Sequence, residues 1–421
     1  MKKMRPGLIG FILVIFSWAP SFAQDATRYY DQGRSYFNQG KYHEAVSALT
    51  KVIDLNPKHA AAYNYRGLAR KRLNDDDGAM ADFLRAIEVD PKFPSPFNNR
   101  GTILEKRGDL DGAMADYTRT IELNPNSSMA HANRGHVRFL RKDTYNALSD
   151  IARAIELDPR NDYAFFVRGV IREKKGELEN ALADFNRAVD LNPKNTRALL
   201  NRGLLKQKSN NFKGALADFN GALGVDPKMV SAYVHRATLK RLTEDLGGAI
   251  ADLTLAVEID PKARIAFNNR GYLKLLRGDL EGALLDVNRA IQLDPKSTMA
   301  YKNRGLIRKE QGDLEGAMND FSHAIELDPY NKMAYLGRGE VREKRADYKG
   351  ALADFQKVLE IDPANAEALE GIEEVRDKMK AGAPKDRKKT PGKTPTKVAK
   401  SQPLRPIQVD QLEVMPYFGP R

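Results

Sequence analysis

The residues that carry most enzyme chemistry are sparse and poorly spaced in this chain. Its 421 residues include six histidines and no cysteine, which excludes disulfides, thiolate metal sites and cysteine nucleophiles. His131 and His136 are five residues apart, an awkward spacing for two imidazoles that share a metal ion. The motifs G-x-x-x-x-G-K-[ST], H-E-x-x-H and G-x-S-x-G do not occur. We therefore expect no enzyme activity, no cofactor and no metal site.

Oppositely charged residues recur at a fixed separation. An arginine is followed 16 residues later by an aspartate in nine places. The arginines are Arg66, Arg100, Arg134, Arg168, Arg202, Arg236, Arg270, Arg304 and Arg338, and the aspartates run from Asp82 to Asp354. An earlier copy of the pattern has Gln32 and Ala48 and loses both charges together. This covariation predicts an ion pair within each copy, structural in role, with ligand binding as the alternative.

The interval between these copies is 34 residues, and it extends to other residue types. The pentapeptide FNNRG stands at 97–101 and again at 267–271, five intervals later. Proline recurs at 57, 91, 125, 159, 193, 227, 261, 295, 329 and 363, and alanine at 45, 79, 113, 147, 181, 215, 249, 283, 317 and 351. Within 264–297 the apolar residues follow a helical period twice, which predicts two helices per interval. Gly271 and Ala283 are small, as expected where two helices cross closely.

This pattern resembles the tetratricopeptide repeat (TPR), a 34-residue unit of two antiparallel helices. The resemblance covers ten repeats: 26–59, 60–93, 94–127, 128–161, 162–195, 196–229, 230–263, 264–297, 298–331 and 332–365. It implies an all-α fold, a TPR α-solenoid in which antiparallel helix pairs stack into a right-handed superhelix with the first helices on its concave face.

Helix ends can also be placed from the sequence. Asn or Ser two residues after most of the prolines can cap the next first helix, at Ser127, Asn161, Asn195, Ser297, Asn331 and Asn365. After the tenth repeat, residues 366–380 form a capping helix in which Leu369, Ile372 and Val375 share the apolar face.

An asparagine recurs directly before the arginine in five repeats. These are Asn99, Asn133, Asn201, Asn269 and Asn303. The superhelix of O-GlcNAc transferase is similar in carrying asparagines at this position, which hold an extended peptide by its backbone. A carboxamide donates and accepts together, so it matches a peptide group. The resemblance implies a peptide site along the concave face; the alternative is that asparagine suits the crossing of the helices.

Apolar residues on the first helices are candidate anchors for the same partner. They are Phe166, Val170, Leu200, Leu204, Val234, Tyr272, Leu306 and Leu336. A fully buried anchor contributes about 1.5–3 kcal/mol. The alternative is that neighbouring repeats already cover several of them.

The N-terminal 23 residues have the layout of a secretory signal peptide. Lys2, Lys3 and Arg5 precede the apolar run from Leu8 to Phe16, and Ser21-Phe22-Ala23 suits cleavage after Ala23. We expect export, most simply to a bacterial periplasm. The alternative is an uncleaved inner-membrane anchor, although the apolar run is short for a bilayer span of about 20 residues.

Residues 381–421 are rich in Lys, Pro and Thr and predict a disordered basic tail. The tail carries nine basic and three acidic residues, so much of the formal charge of +13 lies there. The charge therefore predicts no nucleic-acid-binding fold.

We expect a protein-protein interaction scaffold of the cell envelope that binds partner proteins or extended peptides. The alternative is an adaptor that attaches to anionic membrane or cell-wall polymer through the tail.

Overall fold

The computed structural model describes residues 19–382, and within this range the regular elements are all α-helices. The helices are α1 (Ala19–Asn38), α2 (Tyr42–Leu55), α3 (Ala60–Arg72), α4 (Asp76–Val89), α5 (Pro94–Lys106), α6 (Leu110–Leu123), α7 (Ser128–Leu140), α8 (Thr144–Leu157), α9 (Asp162–Lys174), α10 (Leu178–Leu191), α11 (Thr196–Lys208), α12 (Phe212–Val225), α13 (Val230–Leu242), α14 (Leu246–Ile259), α15 (Arg264–Leu276), α16 (Leu280–Leu293), α17 (Thr298–Gln311), α18 (Leu314–Leu327), α19 (Lys332–Lys344), α20 (Tyr348–Ile361) and α21 (Ala366–Gly382).

These residues divide into two compact blocks, 19–201 and 202–382. In the first block α1 packs on α2, α2 on α3, and so on through α9 and α10. In the second block the same sequence of contacts runs from α12 to α21. First helices also contact the next first helix, as α15 does α17 and α17 does α19. The predicted all-α tandem array of helix pairs is confirmed.

Polar side chains cap both helices of the repeat. All six predicted caps of first helices are present; for example, the Ser127 hydroxyl accepts from the amide of Ala130. Second helices begin at an aspartate in most repeats, as where Asp279 accepts from the amide of Gly282 at 2.9 Å. Each cap satisfies an amide that the first turn leaves without a partner.

Small residues are required where the two helices of a repeat cross. A Cβ added at Gly271 would lie 2.6 Å from Cγ2 of Val287 and 2.9 Å from the carbonyl oxygen of Ala283. At Gly67 it would meet the ring of Phe83 at 2.6 Å. The turn between the helices uses a positive φ, 80° at Gly278.

The core is shared between successive repeats. One cluster contains Val287 and Ala290 of α16 together with Ala300 and Ile307 of α17 in the following repeat. A single helix pair therefore leaves apolar surface for its neighbour to cover, and stability accumulates through these interfaces.

The final helix, α21, closes the second block against α20 and α19. Ile372 and Val375 are buried and pack near Phe355 and Leu336, as predicted. The prediction for Leu369 is wrong: its side chain is 48% exposed, and Ala368 fills the buried position instead. Ala368, Ile372 and Val375 share one cluster with Phe355 and Val358 of α20, so the packed face of α21 includes position 368 and not 369.

The two chain ends lie largely outside the described residues. Of the predicted signal peptide, only residues 19–23 are described, as the start of α1, and of the predicted tail only 381–382. Among the described helices, none combines the length and apolar character needed to span a bilayer.

Candidate functional site

The nine predicted arginine–aspartate pairs are present. Within each pair the Nη2–Oδ1 distance is between 2.6 and 2.8 Å. The aspartates are 2–5% exposed. A bidentate guanidinium–carboxylate pair compensates for burial of the charge. The predicted structural role is therefore supported, because the carboxylates face the repeat interior.

A second cation on the same aspartate was missed by sequence reasoning. One turn after the arginine, a further basic residue contacts the other carboxylate oxygen, as Arg308 does Asp320 at 2.8 Å. These residues are Arg70, Arg138, Arg172, Lys206, Lys240, Lys274, Arg308 and Arg342. They recur with the 34-residue period, so the same periodicity that identified the arginines could have identified them. In the third repeat Leu104 takes this position, and Asp116 pairs with Arg100 alone among the contacts described.

Several arginines of the nine arginine–aspartate pairs also donate to a side chain of the preceding repeat. Arg304 Nη1 donates to Asn288 Oδ1 at 3.0 Å, and Arg66 Nη1 to the Thr50 hydroxyl at 3.1 Å. Arg236, in the same way, donates to Asn220 at 2.7 Å. Each such guanidinium joins its own second helix to that of the repeat before it, so the network locks the register of the array.

The carboxylate of Asp150 shows the electrostatic balance in this network. Burial alone would raise its pKa, but the His131 ring 3.6 Å away and the guanidinium of Arg134 outweigh that effect and hold the pKa below its usual value. His131 is 8% exposed, and its Nε2 lies 3.1 Å from the Pro125 carbonyl. His136 Nδ1 instead faces Glu105 Oε1 at 2.8 Å. The described residues contain no cluster of three or more metal-ligating side chains.

Three of the five candidate asparagines bind an asparagine of the preceding repeat. Asn99 Nδ2 donates to Asn64 Oδ1 at 2.9 Å, and the same distance joins Asn133 to Asn98 and Asn303 to Asn268. This contact explains the repeated FNNRG: its first asparagine accepts from the next repeat. Asn64, Asn98 and Asn268 are each followed 35 residues later by an asparagine, a correlation that sequence reasoning missed.

The other two asparagines follow repeats that have Phe166 or Val234 in the accepting position. Asn201 turns back to the carbonyl of Arg197 at 2.9 Å, and Asn269 is fully buried. Asn133 and Asn303 are also 0% exposed. Contact with a peptide would require these amides to leave buried positions. Peptide binding by the five asparagines stays a prediction, and the geometry favours the alternative of a contact between helices.

Most of the candidate anchors belong to the core. Phe166, Val170, Leu200, Val234, Tyr272 and Leu336 are at most 6% exposed, while Leu204 and Leu306 are half-buried. Packing between repeats therefore accounts for six of the eight. Three of the set, Tyr272, Leu306 and Leu336, also line an open groove.

We call this groove the C-terminal groove; it has a volume of about 780 Å³ and lies within the second block. Four successive first helices contribute to it: α15, α17, α19 and α21. Its apolar residues include Tyr272, Leu275, Leu276, Leu306, Met333, Leu336 and Phe355. Volumes of this size are typical of ligand sites.

The rim of the C-terminal groove is acidic. It carries seven acidic residues and three basic ones: Glu310, Glu340, Glu343, Asp362, Glu367, Glu370 and Glu374 against Lys309, Lys344 and Lys378. Two of the lysines are already paired, Lys309 with Glu340 and Lys378 with Glu343, each at 2.5 Å. The groove therefore favours a ligand that combines apolar and basic side chains.

A smaller groove lies within the first block, with a volume of about 450 Å³. It is lined mainly by polar groups, among them Asn64, Asn98 and Asn99. Asn98 and Asn99 are half-buried. Asn99 is thus the candidate asparagine that stands beside an open surface in the described part of the chain.

Two cations lie beside Tyr272 at the inner end of the C-terminal groove. Lys302 is 1% exposed, and its Nζ lies 5.4 Å from the centre of the Tyr272 ring without a hydrogen-bond partner among the described residues. Burial lowers the pKa of the Lys302 ammonium to about 8. Arg241 is 9% exposed, and burial lowers its pKa as well. Burial raises the pKa of the Tyr272 hydroxyl, and Arg241 opposes that shift.

Comparisons with known proteins agree with this architecture. Family models described as "Tetratricopeptide repeat" match residues 30–95, 95–127, 200–264, 272–336 and 334–365, and one described as "TPR repeat" matches 174–210. A search of curated proteins found no match.

This chain is also similar to solved structures. The structure of yeast Tom70 is similar at 16% identity with a TM-score of 0.42, covering 86% of this chain and 97% of Tom70. A tetratricopeptide repeat protein from Parabacteroides merdae is 21% identical with a TM-score of 0.48, covering 59% of this chain and 99% of that one.

Proposed function

Because the chain belongs to the tetratricopeptide repeat family, we propose that it is a non-enzymatic scaffold that binds an extended segment of a partner protein in the C-terminal groove. Repeats of this kind form protein–protein interaction scaffolds. The observation that carries the choice of site is an open groove in which Leu276, Leu306 and Met333 are partly exposed, in an array whose other apolar residues mostly pack between repeats.

The chemistry of the groove defines the partner segment. Two or three apolar side chains over Leu306 and Met333 would each contribute up to roughly 1.5–3 kcal/mol. Basic residues on either side would meet the glutamates of α19 and α21 and would increase the association rate. A few such anchors suffice for micromolar affinity after the cost of ordering the segment. The partner is a protein or peptide, and no nucleic acid is expected.

The asparagines are given a secondary role in this proposal. An amide at Asn133 or Asn303 that turned to a peptide would lose its bond to the preceding repeat, at a net cost of about 1 kcal/mol. Asn99 would lose its bond to Asn64 in the same way, but it is half-buried beside the smaller groove and would therefore need the least rearrangement to reach a ligand.

We further propose that the scaffold works in the cell envelope, most simply in a periplasm. The basic start, apolar run and small residues before Gln24 support export. Fractionation of cells that express the full chain, with and without residues 1–23, measures this directly. The shortened chain should remain in the cytoplasm.

Site-specific photo-cross-linking tests the proposed groove. A photoreactive amino acid at Met333, within the groove, should form adducts with partner protein in an envelope extract. The matched control is the same amino acid at Leu285, which is 73% exposed on α16 and outside the groove. Adducts at Leu285 equal to those at Met333 would contradict the proposal.

A further inference from the structure

The C-terminal groove also has a candidate occupant within the same polypeptide. Resting on the proposed function, we propose that the chain's own residues 383–421 dock in the C-terminal groove and compete there with partner segments.

The charges of the two surfaces are complementary. Residues 383–421 carry nine basic and three acidic side chains, a formal charge of +6. The groove lining carries seven acidic and three basic side chains. Three of the acids, Glu367, Glu370 and Glu374, are exposed on α21. Opposite charges at this density attract the segment and hold it near the rim.

The order of residues along the segment matches the order of surfaces along the groove. Eight of its nine basic residues come first, from Lys385 to Arg405, close to the acidic face of α21, and the ninth is Arg421. Its apolar residues come later, including Val414, Met415, Tyr417 and Phe418. The part of the groove farther from α21 presents two partly exposed apolar side chains, Leu276 of α15 and Leu306 of α17. A segment that leaves α21 and crosses α19 would place its basic residues on the acidic side chains of α21 and its apolar residues on the leucines of α15 and α17.

The length of the segment is sufficient for this path. Lys378, the last lining residue, is four positions before Gly382, where α21 ends. Adjacent packed helices are 8–10 Å apart, so four successive first helices span roughly 30 Å. A 39-residue chain has a root-mean-square reach of about 35 Å. Attachment on this scale gives an effective concentration in the millimolar range, so even weak contacts would fill the groove.

Competition with partners follows from the shared site. An external segment must displace the docked residues, so its apparent affinity falls in proportion to the occupied fraction of the groove. A partner segment with more apolar anchors than residues 383–421 would displace them. Residues 383–421 would thus restrict binding to partner segments of higher affinity.

Electron paramagnetic resonance distance measurements on the full chain test this docking. The natural sequence has no cysteine, so spin labels can be attached to the pair Glu310→Cys and Gln411→Cys alone. Glu310 is exposed on α17 at the groove. We expect a narrow distance distribution centred below about 30 Å, the span of the groove.

Charge reversal supplies the matched comparison. Glu370→Lys with Glu374→Lys should broaden the distance distribution. The control pair, Glu258→Lys with Glu326→Lys, lies on exposed sites of α14 and α18 outside the groove and should leave the distribution narrow.

A broad distribution that neither pair of substitutions alters would overturn the docking. If Met333 cross-links to a partner in that case, the proposed function stands; a broad distribution without partner adducts would refute the proposed function as well, because the groove would then be free and still bind no partner. Broadening by both changes equally would indicate non-specific charge attraction and also overturn the proposal.

Discussion

The most unusual residue in the described chain is Lys302, a buried cation whose ammonium has no hydrogen-bond partner among the described residues. Nine repeats place an uncharged residue in its position, for example Asn268 in the eighth and Leu336 in the tenth. Its neighbour Tyr272 offers a ring face but no negative charge. Because burial lowers the pKa of the ammonium from 10.5 to about 8, the native state binds this proton less tightly than the unfolded state does.

We predict that Lys302→Met stabilises the protein at neutral pH. The lowered pKa corresponds to a cost of up to about 3 kcal/mol below pH 8. Between pH 8 and 10.5 the native lysine is neutral while the unfolded one is charged, so the wild-type free energy of unfolding rises with pH and the advantage of the variant shrinks. Denaturant unfolding at pH 7 and pH 9.5 measures both effects. Lys274→Met, which breaks the pair with Asp286, should destabilise the protein at both values.

At the scale of the helix, the arginine–aspartate network holds each repeat together. Arg304→Ala would leave Asp320 with Arg308 alone and remove the bond to Asn288 in the preceding repeat. We expect a loss of about 3 kcal/mol in local stability, since a buried carboxylate loses its bidentate partner. Amide hydrogen exchange in α17 and α18 is the measurement, because repeat arrays open locally.

The control for this prediction is Arg289→Ala, at an exposed arginine that contacts Gln292. This substitution should change the local free energy of opening, obtained from amide hydrogen exchange, by less than about 0.5 kcal/mol. Equal effects of the two substitutions would mean that the network contributes no more than an ordinary surface arginine.

The helices were predictable because their determinants repeat. The caps at Asn161 and Ser297 and the glycine at 271 act on residues within a few positions, and ten copies make each pattern visible. The exposure of Leu369 was predicted wrongly because a helical period alone cannot decide which of two adjacent positions, 368 or 369, faces α20.

The candidate site was less predictable because it depends on neighbouring repeats. Asn133 was identified as a residue type, but its burial depends on Asn98 in the repeat before it. Leu306 and Leu336 were identified together with residues such as Val234 that the next repeat covers. The acidic rim was missed because its glutamates are spread over α17, α19 and α21 and converge only in the folded chain.

At the scale of the whole molecule, the chain combines an array of helix pairs with the C-terminal groove in its second block. The array supplies stability through contacts between neighbouring repeats. The groove supplies apolar and acidic surface for a partner segment, and residues 383–421 supply a competitor for it. Tyr272 and Leu336 belong to the core as well as to the groove, whereas Leu306 and Met333 are only half-buried. Substitutions at Leu306 and Met333 can therefore change affinity without unfolding the array.

Partner binding in the C-terminal groove is tested by a fluorescence anisotropy titration of the full chain with a labelled synthetic peptide that contains three apolar residues and four lysines. Leu306→Gln with Met333→Gln should weaken binding at least tenfold, equivalent to about 1.4 kcal/mol, with the helical circular dichroism unchanged. Leu285→Gln should leave the affinity as it is. Equal affinity in all three proteins would show that the peptide binds elsewhere and that the C-terminal groove is not the partner site.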